Sequence, residues 1–204
     1  MLIQIRKIQD KKDILQAVMI HQDSFQNFFM TELGTQFLML FYKSVANNKK
    51  SLLLGYFEND KLLGFCAATY RSRGFYTSLV KSNLLSYLCM SVYLFLFKFS
   101  SLLRLIKNLT KKSDKIADNG DYAEILSIAT SQHSQGKGIG QALMIETEKE
   151  LKLHNCKKLS LTTDFCNNEK TLNFYKKVGF EILYEFISYP NRRMYRLIKK
   201  ELLR

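Results

Sequence analysis

Between Ala123 and His154 the chain changes its hydrophobic period within one short stretch, and few folds accommodate that change. Glu124 to Thr130 lacks breakers and is rich in apolar and β-branched residues, which predicts a strand. Ile139, Leu143, Thr147 and Leu151 then recur at four-residue steps with charges on the opposite face, which predicts a helix. Between them lies Gln135-Gly136-Lys137-Gly138-Ile139-Gly140. Three alternating glycines at the mouth of a helix let backbone N–H groups converge, because no Cβ stands in the way. The helix N-terminus adds unpaired donors and a partial positive charge, so a phosphate or pyrophosphate is the natural guest.

Two common phosphate loops do not fit. A P-loop requires Ser or Thr after its Gly-Lys, and Lys137 is followed by Gly138. A dinucleotide fingerprint requires a third glycine where Gln141 stands, and an acidic residue near positions occupied by Lys157 and Lys158. The pattern that does fit is [Gln/Arg]-x-x-Gly-x-[Gly/Ala], met by Gln135, Gly138 and Gly140. It resembles the acyl-coenzyme A loop of the GNAT family of N-acetyltransferases; a glycine-rich turn with no ligand is the plainer reading of those six residues alone. Downstream, Leu159 to Thr163 alternates like a strand, and Asn168 to Phe180 follows it. That order is similar to the family's strand, Asn-x-x-Ala-x-x-Phe-Tyr helix and closing Gly-Phe, with Thr171 where Ala is usual. Asn168 suits a helix N-cap, and Gly179 the left-handed residue past a helix end. The resemblance covers residues 1–70 and 118–204 and is best supported from 122 to 181.

At 204 residues the chain is most simply one domain, 1–204, with enough length to bury a full core. Cys66, Cys89, Cys156 and Cys166 show no metal-like spacing, and His21, His133 and His154 are scattered, so no metal site is expected. Reduced thiols and an N-terminus without signal-peptide features predict a cytoplasmic location. A serine nucleophile paired with His133 has no supporting motif.

Leu2–Ile8 alternates like a first strand, and Asp10 is placed to cap a helix reaching about His21. A second helix is predicted from about Thr31 to Ala46. Ser51–Glu58 and Lys61–Tyr70 flank Asn59-Asp60, a hairpin signal. Phe180–Ser188 and Arg193–Leu197 read as two last strands around Tyr189-Pro190-Asn191. The resemblance implies the α/β GNAT fold: a mixed, mostly antiparallel sheet flanked by helices. It departs from the family at 71–118, where a helical insert joins strands three and four.

The middle of that insert, Asn83 to Phe97, is apolar on nearly every side, as in a helix buried in protein or facing lipid. Its uncharged run between Lys81 and Lys98 spans 16 residues, roughly 24 Å of helix, short of a ~30 Å hydrocarbon core. Arg71, Arg73, Lys81, Lys98, Arg104, Lys107, Lys111, Lys112 and Lys115 stand against Asp114 and Asp118; nine minus two gives +7 of the chain's +13. Three readings stay open: a helical excursion packed on the sheet or on a second subunit in a homodimer; a border of the acceptor site or a peripheral contact with an anionic membrane; and nucleic-acid binding, which lacks a recognition motif. The charge also suits steering of an anionic cofactor such as coenzyme A.

The resemblance implies an N-acetyltransferase that takes acetyl-CoA as co-substrate and passes the acetyl group directly to an amine acceptor, a small molecule or a peptide. Backbone groups of Ile128, Ala129 and Thr130 would hold the pantetheine arm, and Gln135, Gly136, Lys137, Gly138, Ile139 and Gly140 the pyrophosphate. Asn168 would sit near the cofactor. Tyr175 matches the family's tyrosine that protonates the departing thiolate, and a phenol of pKa about 10 is a sensible donor there. Glu124 stands where some members carry a glutamate base, and a solvated or salt-bridged glutamate is its plainer role. The connection His21–Thr35 and the hairpin around Tyr189-Pro190-Asn191 would shape the acceptor site. The alternative from another class is a non-catalytic module of the same fold that acts through its basic apolar insert.

Overall fold

The computed structural model of the chain describes residues 2–26, 28–110, 118–188 and 190–202. Tyr189 and the insert's Lys111, Lys112, Asp114 and Lys115 lie outside the described residues. The strands are β1 (Ile3–Lys7), β2 (Ser51–Glu58), β3 (Lys61–Thr69), β4 (Ala123–Thr130), β5 (Leu159–Asp164), β6 (Glu181–Ser188) and β7 (Arg192–Lys199). They form one 7-stranded sheet in the order β1-β2-β3-β4-β5-β7-β6. Every neighbouring pair is antiparallel except β4–β5 at the centre, the mixed sheet that the resemblance implies. The β2–β3 turn sets Asn59 at φ 48° and Asp60 at φ 62°, the left-handed pair that a two-residue hairpin loop needs.

Helices α1 (Lys11–Ser24), α2 (Phe29–Leu33) and α3 (Thr35–Asn47) follow β1. Asp10 caps α1 as expected, its carboxylate accepting the Asp13 N–H at 2.8 Å. The single helix expected over 31–46 is instead two, parted at Gly34, whose φ of 94° and ψ of 172° take the chain out of helical space. Helices α4 (Phe75–Ser82), α5 (Leu84–Phe97) and α6 (Phe99–Thr110) make up the insert between β3 and β4, and α7 (Ile139–Leu153) and α8 (Glu169–Lys177) complete the chain's helices among the described residues.

Because side chains alternate across a strand, each central strand feeds two cores. Leu53, Phe65 and Ala67 pack with Val18, Phe37, Leu38 and Phe41 on one face. Leu52, Leu54 and Cys66 pack with Leu143, Tyr175 and Phe180 on the other. The insert belongs to the first core, through Phe75, Leu79 and Leu94. Its base is pinched by two backbone bonds, Ser72 N–H to Tyr122 C=O at 2.8 Å and Arg73 N–H to Gly120 C=O at 3.1 Å. Of the two environments that the apolar pattern of α5 allows, full enclosure in protein is not the one found: Leu94 is the only residue of that helix that is buried.

Candidate active site

The site begins with a fault in the sheet. Ala67 lies opposite Ser127 and Ala68 opposite Ile125, so Leu126 is the extra residue of a bulge in β4. β4 and β5 are paired only over Ala123, Glu124 and Ile125, and from the bulge onward they part. The Ser131 N–H donates to the Leu63 carbonyl at 2.8 Å. The two-residue alternation of an antiparallel ladder then turns the backbone of Ala129 and Ser127 toward β3, and that of Ile128 and Thr130 toward the edge β5 has left. Of the three residues expected to offer free backbone groups, Ala129 therefore commits its own to the ladder.

A cleft of about 670 Å³ occupies the parting. Its walls include β4 from Ile125 to Thr130, Leu161 to Asp164 of β5, and Gln135, Asn168 and Tyr175. The remaining wall is largely aromatic: Phe25, Phe28 and Phe29 between α1 and α3, Phe186 of β6, and Tyr76 and Arg104 of the insert. The predicted segment 21–35 and the last hairpin thus both contribute, and the insert borders the same cleft.

After β4, one turn of 3-10 helix (Gln132–Ser134) leads to Gln135, and α7 begins at Ile139. Gly136 and Gly138 have φ of 79° and 78°, and a Cβ built on either would meet no atom within 4 Å. The backbone conformation, not crowding, demands glycine there, and the space above the turn is open. No side chain caps the first turn of α7, so its N–H groups stay available to an anion. Ile139 is buried, whereas Lys137 stays exposed. The cradle fits a pyrophosphate, and the open edge of Ile128 and Thr130 fits an extended amide-bearing arm.

Tyr175 lines the cleft, and burial raises its pKa, so the phenol keeps its proton. Its ring packs against Phe174 and Phe180, with centroids 5.3 and 5.7 Å away. Asn168 holds the N-cap position of α8 but makes no capping bond. Its amide donates instead to Thr163 Oγ1 and to the Asp164 carbonyl, both at 2.7 Å, tying α8 to the end of β5. Glu124 is not among the cleft-lining residues. It is buried, accepts from Arg196 Nη1 at 2.5 Å and from the Ser72 hydroxyl, so both carboxylate oxygens are engaged. Of the roles weighed for Glu124, its contacts are those of the salt-bridged glutamate, an ion pair across three strands and the base of the insert.

Sequence reasoning missed two features of the cleft. Asp164 and Arg192, 28 residues apart, form a two-pronged ion pair, with Nη2 to Oδ2 at 2.5 Å, and the guanidinium lies 3.9 Å over the Phe28 ring. His21 Nδ1 meets the Tyr42 hydroxyl at 2.6 Å, and that hydroxyl meets Ser127 Oγ at 2.8 Å. His21 Nε2 is buried with no partner, and burial pushes the imidazole pKa down to about 4. Neither set is local in sequence, so no spacing signal announces it. Among the described residues no group of His, Cys, Asp and Glu could hold a metal ion.

A parallel pair splayed inside an otherwise antiparallel sheet, its open edge running into a glycine turn and a helix N-terminus, defines the acyl-coenzyme A N-acyltransferase class of fold. The chain belongs to the GNAT acetyltransferase family, whose model, described as Acetyltransferase (GNAT) family, matches residues 16–180. Solved structures share the fold over nearly the whole chain. Ard1 from Thermoplasma volcanium has a TM-score of 0.64 at 18% identity, covering 100% of both chains. The ribosomal-protein-S18-alanine N-acetyltransferase from Escherichia coli has 0.60 at 14%, covering 100% of this chain and 96% of that one. The PaiA N-acetyltransferase from Thermoplasma acidophilum, in complex with coenzyme A, has 0.54 at 17%, covering 98% and 99%. No curated protein matches the sequence significantly.

Proposed function

We propose that this chain is an acetyl-CoA-dependent N-acetyltransferase that passes the acetyl group directly to an amine bound in the same cleft. One observation carries the reading: the edge of β4 opened at Leu126 leads straight into the turn at Gly136 and Gly138. Ile128 and Thr130 bind the pantetheine amides as a neighbouring strand would, and Gln135 to Gly140 cradles the pyrophosphate. Acetyl-CoA supplies the activated thioester. The Ile128 N–H polarises its carbonyl, an oxyanion-type contribution, and holding both reactants in one cleft supplies much of the acceleration. As the C–N bond forms and the C–S bond breaks, Tyr175 hands its proton to the thiolate, and the proton released by the amine restores the phenol by way of solvent. Glu124 acts by position, bracing β4 through Arg196. The aromatic wall of Phe25, Phe28, Phe29 and Phe186 favours an acceptor with an apolar body beside its amine.

Calorimetric titration with acetyl-CoA tests the cofactor, and free-thiol release with a panel of amines tests the chemistry. The expected result is micromolar or tighter binding, about −8 kcal/mol or better, with thiol release concentrated among apolar amines. Absence of binding would overturn the assignment.

A further inference from the structure

The insert wears its apolar side chains outward. α5 carries no charged residue along its 14 positions. Leu85, Leu88, Val92, Phe95 and Leu96 recur along it at helical steps and are 53% to 79% exposed. The stripe continues into α6, because the rings of Phe95 and Phe99 meet edge to face at 5.6 Å. Leu103, one turn further, is 41% exposed. Apolar side chains scattered singly on a surface need no explanation, but a continuous patch of this kind marks an interaction site.

Charge selects the partner. From Arg71 to Lys107 the sequence contains no acidic residue, and Arg73 and Lys81 are exposed beside the start of the stripe. A second copy of the face would bring like-charged rims together, whereas an anionic surface complements them. Two observations favour a helix lying flat over one that crosses a membrane. No single helix among the described residues is long and apolar enough to cross one, and α4 and α5, which reach that length only together, are bent by 96°. The inner side of the insert is also committed to the protein core through Phe75, Leu79 and Leu94. What remains is a helix lying flat, one side on the protein and the other on lipid.

We infer that the outward face of α5 and the first turns of α6 docks on the surface of an anionic lipid bilayer. Tyr76 and Arg104 of the same insert line the cleft, so docking would hold that wall of the cleft close to the bilayer. The inference stands apart from the acetyltransfer reading, since it uses none of the cofactor-binding residues.

The test is flotation of the full chain with vesicles of phosphatidylglycerol and phosphatidylcholine, against vesicles of phosphatidylcholine alone. Binding is expected to the mixed vesicles, weaker by roughly tenfold or more without the anionic lipid or in high salt. The Leu88→Glu/Val92→Glu double variant, both side chains pointing outward, should lose binding by a similar factor with unchanged circular dichroism and melting temperature. Arg73→Glu/Lys81→Glu, which leaves the apolar stripe intact, should weaken binding to the mixed vesicles only. Failure of the wild type to float with the mixed vesicles would overturn the inference. So would equal binding by the Leu88→Glu/Val92→Glu variant, or a wild-type dimer in sedimentation that this variant dissolves, which would assign the face to a second copy.

Discussion

Tyr175 packs its ring between Phe174 and Phe180 while burial keeps its hydroxyl protonated. Tyr175→Phe preserves the ring contacts and removes only the proton donor. It should lower turnover about 10²-fold with the acetyl-CoA dissociation constant unchanged, a split visible by comparing steady-state rates with calorimetry. His21 gives a test by pH. Burial pushes its pKa down to about 4 from the ordinary 6.5, so below pH 6.5 the unfolded chain takes up a proton that the folded protein refuses. The stability this residue allows is whole above that pH and declines by about 3 kcal/mol as pH falls toward 4. Urea melts of His21→Gln between those limits should show a flatter decline than the wild type. At Gly138, a branched side chain meets two obstacles: it intrudes where the pyrophosphate is proposed to lie, and it must adopt a φ of 78°. Gly138→Val should therefore abolish acetyl-CoA binding and also cost about 1–3 kcal/mol in the loop. Gly138→Asn, which tolerates the left-handed region, isolates the steric part; unimpaired cofactor binding by the folded Val variant would remove the turn from the site.

Among the elements, α7 is held to the sheet by charge as well as by packing. Lys199 of β7 donates to both carboxylate oxygens of Glu148 of α7 at 2.7 and 2.9 Å, deep in the molecule. Removing Lys199 takes from the interior the cation that both Glu148 oxygens accept from. Lys199→Met should cost about 3–5 kcal/mol in chemical denaturation, and Glu148→Leu/Lys199→Met should recover most of it. Glu124 braces the sheet in a comparable way. Its carboxylate ties β4 to Arg196 on β7 and to Ser72 at the base of the insert, so one residue fixes three elements whose relative placement sets the width of the cleft.

For the molecule as a whole, the insert cannot be treated as an appendage. Deleting 75–115 would strip Phe75, Leu79 and Leu94 from the core they share with Leu33, Phe37 and Leu38, so loss of function after that deletion would report unfolding as much as a lost surface. Outward substitutions on α5 separate the two. Net charge acts at this scale too. With +13 on the chain, association with a polyanionic cofactor is steered over distances that salt screens, so stopped-flow association rates for acetyl-CoA should fall steeply as ionic strength rises.

Local pattern was enough for every strand, for the left-handed turns at Asn59-Asp60 and Gly179, and for the strand–glycine turn–helix of 123–154, because each is set by side-chain period or by a φ that few residues adopt. The same pattern overran Gly34, where a break of one residue lies inside continuous apolar spacing. It also put Asn168 at a helix cap, where the residue stands but spends its amide on Thr163 and the Asp164 carbonyl instead. Nor did it foresee Arg196, 72 residues away, which reaches Glu124 only when the sheet is assembled. The bulge at Leu126 arises only from the mismatch between β3 and β4, and with it comes the divergence of β5 that opens the cleft. The sequence by itself determined what each segment would become and which turn could receive a phosphate. The tertiary structure alone decided which carboxylates were free, which side of α5 faced outward and what lined the cleft, because those depend on contacts between residues distant in the chain.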